Sequence, residues 1–165
     1  MASIVEWGYH AALHRWTPLH QLPFLRDACR RHGEHHSVFA GRAFHAESAE
    51  ARRHISLRWY EGLLIVLLAG GPFYLAARGI GASWASVAAF ASVLYGYYWA
   101  FEYVHWCEHV QAGRWLEQTR FFNRRKQRHR LHHNSQEGNY GNFGGAWLDR
   151  LTKFELDPAA LRRMG

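Results

Sequence analysis

Residues 62–77 read GLLIVLLAGGPFYLAA and residues 79–101 read GIGASWASVAAFASVLYGYYWAF, with Arg78 the single charge between them. As a helix the second run reaches about 34 Å, enough for a hydrocarbon core of about 30 Å. The first is shorter and interrupted by Gly70-Gly71-Pro72, so it kinks or re-enters without crossing. Together they predict a membrane helical hairpin over residues 60–104 of an all-α chain. The competing reading is a helical pair buried in a soluble core. Helices apolar on every face need a larger protein around them than 165 residues supply.

Outside the hairpin the chain is basic. Of 20 Lys and Arg, eight lie in residues 1–58, one is Arg78, and eleven lie in residues 105–165. The positive-inside rule then puts both flanks, and both termini, on the cytoplasmic side. Trp59, Tyr60, Tyr97, Tyr98, Trp99, Tyr103 and Trp106 crowd one end of the two apolar runs, as headgroup-level aromatics do. The expected organisation is one domain, 1–165: a membrane hairpin under a cytoplasmic helical cap built from residues 1–59 and 105–165. The mean hydropathy of −0.35 averages these unlike parts.

The net charge of +7 needs no nucleic acid to explain it. Arg114, Arg120, Arg124, Arg125, Lys126, Arg128 and Arg130 alternate with Trp115, Leu116, Phe121 and Phe122, a pattern suited to an interfacial helix on anionic lipid. Zinc-finger spacing, RNA-recognition signatures and helix-turn-helix patterning are all missing. Cys29 and Cys107 are 78 positions apart with no CxxC, so a disulfide framework is not expected. The chain also lacks a Ser-His-Asp order and a phosphate-cradling GxxxxGK[ST], which removes hydrolase and nucleotide-dependent readings.

Ten of the 13 histidines fall into four groups, two before the hairpin and two after it. These are His10 and His14; His32, His35 and His36; His105 and His109; and His129, His132 and His133. On a helix, i+4 lies about 40° around from i and i+3 about 60° the other way, so each group faces its rings one way. Ten neutral imidazoles crowded together are polar groups withdrawn from water, and protonated ones repel. Metal ions resolve both problems. Because the hairpin returns the chain to its starting side, the four groups can meet there. Ten ligands exceed one ion's coordination but suit two adjacent ions. Iron, zinc, copper and manganese all accept such nitrogen-rich sets. His20, His45 and His54 lie outside the groups.

Around the histidines, Glu102 and Glu6 are expected to accept hydrogen bonds from imidazole N–H groups and so orient the rings. Glu102 sits one turn before His105 at the membrane exit, where an unpaired carboxylate is expensive. Glu34 and Glu108 read equally well as orienting groups or as solvated helix carboxylates. Tyr97, Tyr98, Phe101 and Trp106 are candidates for lining a lipid path to the site. Residues 138–145, GNYGNFGG, read as a tight turn that either caps the site or forms a surface loop.

The segments EWGYH-x3-H, HGEHH-S, GYYWAFEYVHWCEH, RHRLHH and NYGNFGGAWLDRL, in this order around an apolar hairpin, resemble the fatty acid hydroxylase and sterol desaturase superfamily, and within it the fatty acid 2-hydroxylase branch. The likeness runs from about Glu6 to Phe154. It implies that the ten grouped histidines hold two iron ions, with zinc a possible occupant on purification. It further implies an O2-dependent monooxygenase that hydroxylates a lipid C–H bond, most readily on a fatty-acyl chain. Electrons would come from an external ferredoxin-type or haem carrier, and the substrate from the bilayer. Carotenoid or sterol hydroxylation or desaturation is the alternative within the superfamily. A non-catalytic metal-binding membrane protein is the alternative outside it.

Overall fold

The computed structural model describes residues 2–15, 18–56, 58–157 and 159. Arg162 and Arg163, counted above among the basic residues, lie outside them, as does the end of the expected domain. The described residues form helices and loops without a strand. In order these are α1 (Ala2–His14), α2 (Pro23–Val38), α3 (Ala49–Arg52), α4 (Trp59–Gly79), α5 (Trp84–His109), α6 (Arg120–Ser135) and α7 (Ala146–Leu151), with short 3-10 turns at Pro18–Gln21, Gly41–Ala43 and Trp115–Gln118.

Local chemistry sets several boundaries. Pro23 opens α2 at a position where its missing N–H has no helical partner anyway. Ser83 caps α5 by accepting from the Ser86 N–H (3.1 Å), and Thr119 caps α6 by accepting from the Phe122 N–H (3.1 Å). At the start of α4 the Glu61 carboxylate reaches back to the Arg58 N–H (2.8 Å) and also pairs with Arg31 of α2. α6 ends where Gln136 turns left-handed at φ 58°.

α4 runs without a break through Pro72, so the interruption anticipated at Gly70-Gly71-Pro72 is absorbed within a 21-residue helix about 32 Å long. Gly70 leaves room for the Tyr74 ring, whose hydroxyl donates back to the Val66 carbonyl (2.9 Å). Among the described residues, α4 is the one helix long and apolar enough to cross a membrane. This reverses the expectation that residues 79–101 make the clearer span. The α5 helix has 26 residues, but the serines and the Tyr95-to-Trp99 aromatic belt lower its apolar character.

α4 and α5 pack side by side and antiparallel. The Tyr98 hydroxyl donates to the Arg58 carbonyl (3.3 Å), and further along Tyr74 meets Phe90 edge to face at 5.8 Å. Gly62 leaves room for the Tyr98 ring of α5, since a Cβ there would lie 2.3 Å from it. Away from this seam both helices are bare: Leu67 is 62% exposed, Leu75 76% and Val93 69%.

Beyond the hairpin end, two small apolar clusters hold the remaining helices. One gathers Phe39, Ala46, Ile55 and Val110, and the other Val104, Cys107 and Phe122. Between them, where a soluble domain would place its largest apolar side chains, lie fully buried imidazoles: His36, His109, His132 and His133. Cys29 and Cys107 are both free thiols.

Candidate metal centre

α1, α2, α5 and α6 bring all ten grouped histidines together, in two sets of five. One set is His10, His14, His32, His36 and His132, and the other is His35, His105, His109, His129 and His133. In each set one nitrogen per ring lies within 4.8 Å of the others. Helical phase dictates the division. Each i,i+4 pair stays in one set, and the leftover i+3 member of α2 (His35) or of α6 (His132) crosses to the other. The sets abut, with the rings of His36 and His133 stacked 4.2 Å apart.

The ring orientations are held from outside. His10 Nδ1 bonds the Tyr140 carbonyl (2.8 Å), His132 Nδ1 that of Gly138 (2.6 Å), His35 Nδ1 that of His54 (2.9 Å) and His109 Nδ1 that of Phe44 (2.8 Å). A carbonyl only accepts, so each Nδ1 carries the proton and each Nε2 turns a bare lone pair inward. In the second set these atoms converge: His35 and His133 are 3.1 Å apart at Nε2, His35 and His105 3.2 Å, His109 and His129 3.0 Å, and His129 and His133 3.0 Å. In the first set His14 and His32 approach to 2.7 Å, and His10 Nε2, His132 Nε2 and both nitrogens of His36 are buried without a partner.

This arrangement fits metal ions. Two lone pairs about 3 Å apart repel unless a cation lies between them. With metal–nitrogen bonds of about 2.1 Å, neighbouring ligands on one ion sit about 3.0 to 3.4 Å apart. Burial holds the imidazoles neutral, as ligation requires: His10 is pushed down to about 4, and His14 and His109 to about 3.

The carboxylates divide differently from the sequence expectation. Glu102 is buried one turn from His105, on the wall of the cavity described below. Glu6 does not orient a ring. It accepts instead from the Tyr97 hydroxyl and from the N–H groups of Phe143 and Gly144 (2.9 Å for the last), tying the glycine-rich loop to α1 and α5. Those loop amides need an acceptor when buried, and Glu6 lies under them. Glu108 is fully buried with Oε2 accepting from Asn142 Nδ2 (2.8 Å) and 3.9 Å from His129 Nε2. Burial pushes Glu108 up to about 8, against the pull of Arg125 and Asn142. Glu34 is a surface partner of Arg30. Of the ungrouped histidines, His20 bonds the Ala12 carbonyl and His45 meets Gln111, while His54 serves through its backbone.

A cavity of about 310 Å³ opens between α1, α2, α4 and α5. His10, His32, His35, His105 and His129 form one side, and Ile65, Leu94, Tyr97, Tyr98 and Phe101 line another. Three of the four lipid-path candidates therefore line it. Trp106 does not: about 100° around α5 from His105, it packs against the Phe39 and Val104 clusters under the Arg114 guanidinium (4.6 Å).

Compared with known families, residues 1–153 match the fatty acid hydroxylase family. The chain belongs to the fatty acid hydroxylase family. Members are generally hydroxylases or desaturases, membrane-associated oxidoreductases that depend on iron, and the two histidine sets fit that chemistry. The match does not distinguish the 2-hydroxylase branch. No curated protein and no solved structure matches the chain. In this fatty acid hydroxylase family member, sequence reasoning missed the carbonyls of Phe44, His54, Gly138 and Tyr140 that aim the rings. It also missed Asp149, which accepts from the N–H groups of Tyr140 and Gly141 in the same loop. The histidine spacing carries no mark of either.

Proposed function

We propose that this family member is a membrane-bound di-iron monooxygenase that hydroxylates a C–H bond of a fatty-acyl chain. The observation that carries the reading is the cavity, which sets histidines of both sets against an apolar, aromatic wall of Ile65, Leu94, Tyr97, Tyr98 and Phe101, on two helices, α4 and α5, that also carry exposed apolar faces. Those bare apolar faces belong in lipid, so the hairpin of residues 60–104 spans the bilayer and the rest of a single domain caps it. The basic flanks put that cap, the metal centre and both termini on the cytoplasmic side.

Two iron ions would be held five histidines each. When bound and reduced they would supply O2 activation and hydrogen removal from an unactivated carbon, one oxygen atom entering the C–H bond and the other leaving as water, with two electrons from an external ferredoxin-type or haem carrier and two protons from solvent. The chain's own contribution is placement. Carbonyl-anchored Nδ1 groups keep the Nε2 lone pairs pointed inward. Ile65, Leu94 and Phe101 accept an apolar chain and exclude water from the reacting carbon, while Tyr97 and Tyr98 narrow the approach.

The test is turnover of reduced, iron-loaded protein in bilayers of defined acyl lipid. Oxygen uptake and a hydroxylated lipid are expected from wild type, and neither from His132→Ala. Equal product from both would overturn the reading. Zinc retained under anaerobic, iron-replete expression, with no oxygen uptake after iron exchange, would favour a non-catalytic metal-binding protein.

A further inference from the structure

The Asp149 carboxylate is fully buried in α7 and receives four hydrogen bonds, none of them from a histidine among the described residues. Trp7 Nε1 (2.9 Å) and the Tyr140 N–H (2.9 Å) donate to Oδ1, and the Gly141 N–H (3.0 Å) and Arg128 Nη2 (2.9 Å) donate to Oδ2. Two of these donors belong to the loop whose carbonyls hold metal-facing rings. Gly138 O accepts a hydrogen bond from His132 Nδ1–H, and Tyr140 O accepts one from His10 Nδ1–H. The loop is pinned on its other side by the Asn139 N–H to the Phe154 carbonyl (2.8 Å) and the Leu156 N–H to Asn139 Oδ1 (3.0 Å). Asn139 itself adopts φ 55°, a left-handed conformation that asparagine tolerates.

The carbonyls that anchor rings of the two histidine sets come from different parts of the chain. His10 and His132 are in the first set, and their Nε2 atoms are buried and without a partner. In the second set, the anchored rings His35 and His109 lean on the carbonyls of His54 and Phe44, in a segment with no hydrogen bond to Asp149 among the described residues.

We infer that Asp149 is the positioning residue for the first metal site alone, so that the two sites fill and empty separately. The inference rests on the reading that each set holds a metal. Loss of the carboxylate frees the 138–141 backbone, lets the His10 and His132 rings rotate, and leaves the His35 and His109 anchors intact. Outer partners of metal-bound histidines typically contribute about 10- to 100-fold in affinity, which sets the expected size.

The experiment follows Zn2+ release from detergent-solubilised, zinc-loaded full-length protein to a chromophoric chelator at neutral pH. Wild type is expected to release two equivalents, with the phase missing from His132→Ala marking the first site and that missing from His109→Ala the second. Asp149→Ala should speed the first-site phase about 10- to 100-fold and leave the second-site phase unchanged; the unchanged phase certifies the fold. Asp149→Asn keeps the shape but places an amide N–H2 against the loop donors, and should give a smaller change of the same kind. A first-site phase unaltered in both variants overturns the inference, and so does a common acceleration of both phases, which marks a merely structural role. Wild type that binds no zinc overturns the metal reading as well, whereas two normally held equivalents in the Asp149 variants overturn this inference only.

Discussion

At the residue scale, the site depends on where each imidazole proton sits. Four rings donate a hydrogen bond from Nδ1–H to a carbonyl more than five residues away in sequence, and the nearest such pairing is His132 with Gly138. Spacing at i+3 and i+4 is local, so the ten histidines and their faces are legible in the sequence. The carbonyl acceptors are not, because every residue carries the same backbone and the partners lie up to 130 positions apart. Glu6 was misread for the same reason: its partners, Tyr97, Phe143 and Gly144, are 91 to 138 positions away. Glu6→Ala should leave two loop amides buried without an acceptor and destabilise the protein by about 2 to 4 kcal/mol, while metal content holds near wild type. A thermal scan with metal analysis checks both halves.

Tighter still is Gly141. A Cβ there would meet the Gly145 carbonyl carbon at 2.0 Å, against backbone that has nowhere to yield. Gly141→Ala is expected to displace the 138–145 loop and lower the melting temperature by several degrees, roughly a 1–3 kcal/mol overpacking effect. A Gly71→Ala control has open space around it and should be nearly silent in the same scan.

At the element scale, α4 shows both the reach and the limit of pattern reading. Gly70-Gly71-Pro72 marks a break in an isolated helix, yet α4 continues through it with α5 packed alongside and the Tyr74 hydroxyl bonded to the Val66 carbonyl. Trp106 fails in the opposite direction. Composition places it in an aromatic belt, but its phase on α5 turns it away from His105 toward the apolar clusters. Leu67, in the middle of α4, points away from the chain. Leu67→Arg should therefore cost insertion about 2.5 to 3.5 kcal/mol in a glycosylation-reporter assay, and Leu67→Ala far less. Equal insertion of the two would argue that α4 does not sit in lipid.

At the scale of the whole molecule, imidazole stands where an apolar core would be, so folding and metal binding are one equilibrium. In the metal-free protein, His10 (about 4) and His14 and His109 (about 3) lie below the unfolded value of about 6.5. Below pH 6.5 the unfolded chain therefore takes up protons that the folded chain refuses, and stability falls as pH drops through 6.5 toward 3. Glu108 acts with the opposite sign: its folded value of about 8 exceeds the unfolded value, so its contribution is lost as pH rises through 4.5 to 8. Burial raises Glu6 and Asp149 in the same direction as Glu108, but the ten buried or half-buried histidines outnumber these three carboxyls, and the apo protein should unfold in mild acid. Loading with iron or zinc should shift the acid midpoint downward in a denaturation series followed by helix content.

The central claim is that ten histidines and an apolar wall serve oxygen transfer to a lipid chain. It is tested most directly by turnover of the reduced, iron-loaded protein under 18O2 in acyl-lipid bilayers, with mass analysis of the extracted lipid. The account predicts a hydroxylated acyl chain carrying one 18O atom per turnover, absent from His132→Ala. A lipid pool that gains no 18O while the iron-loaded protein stays intact would contradict it.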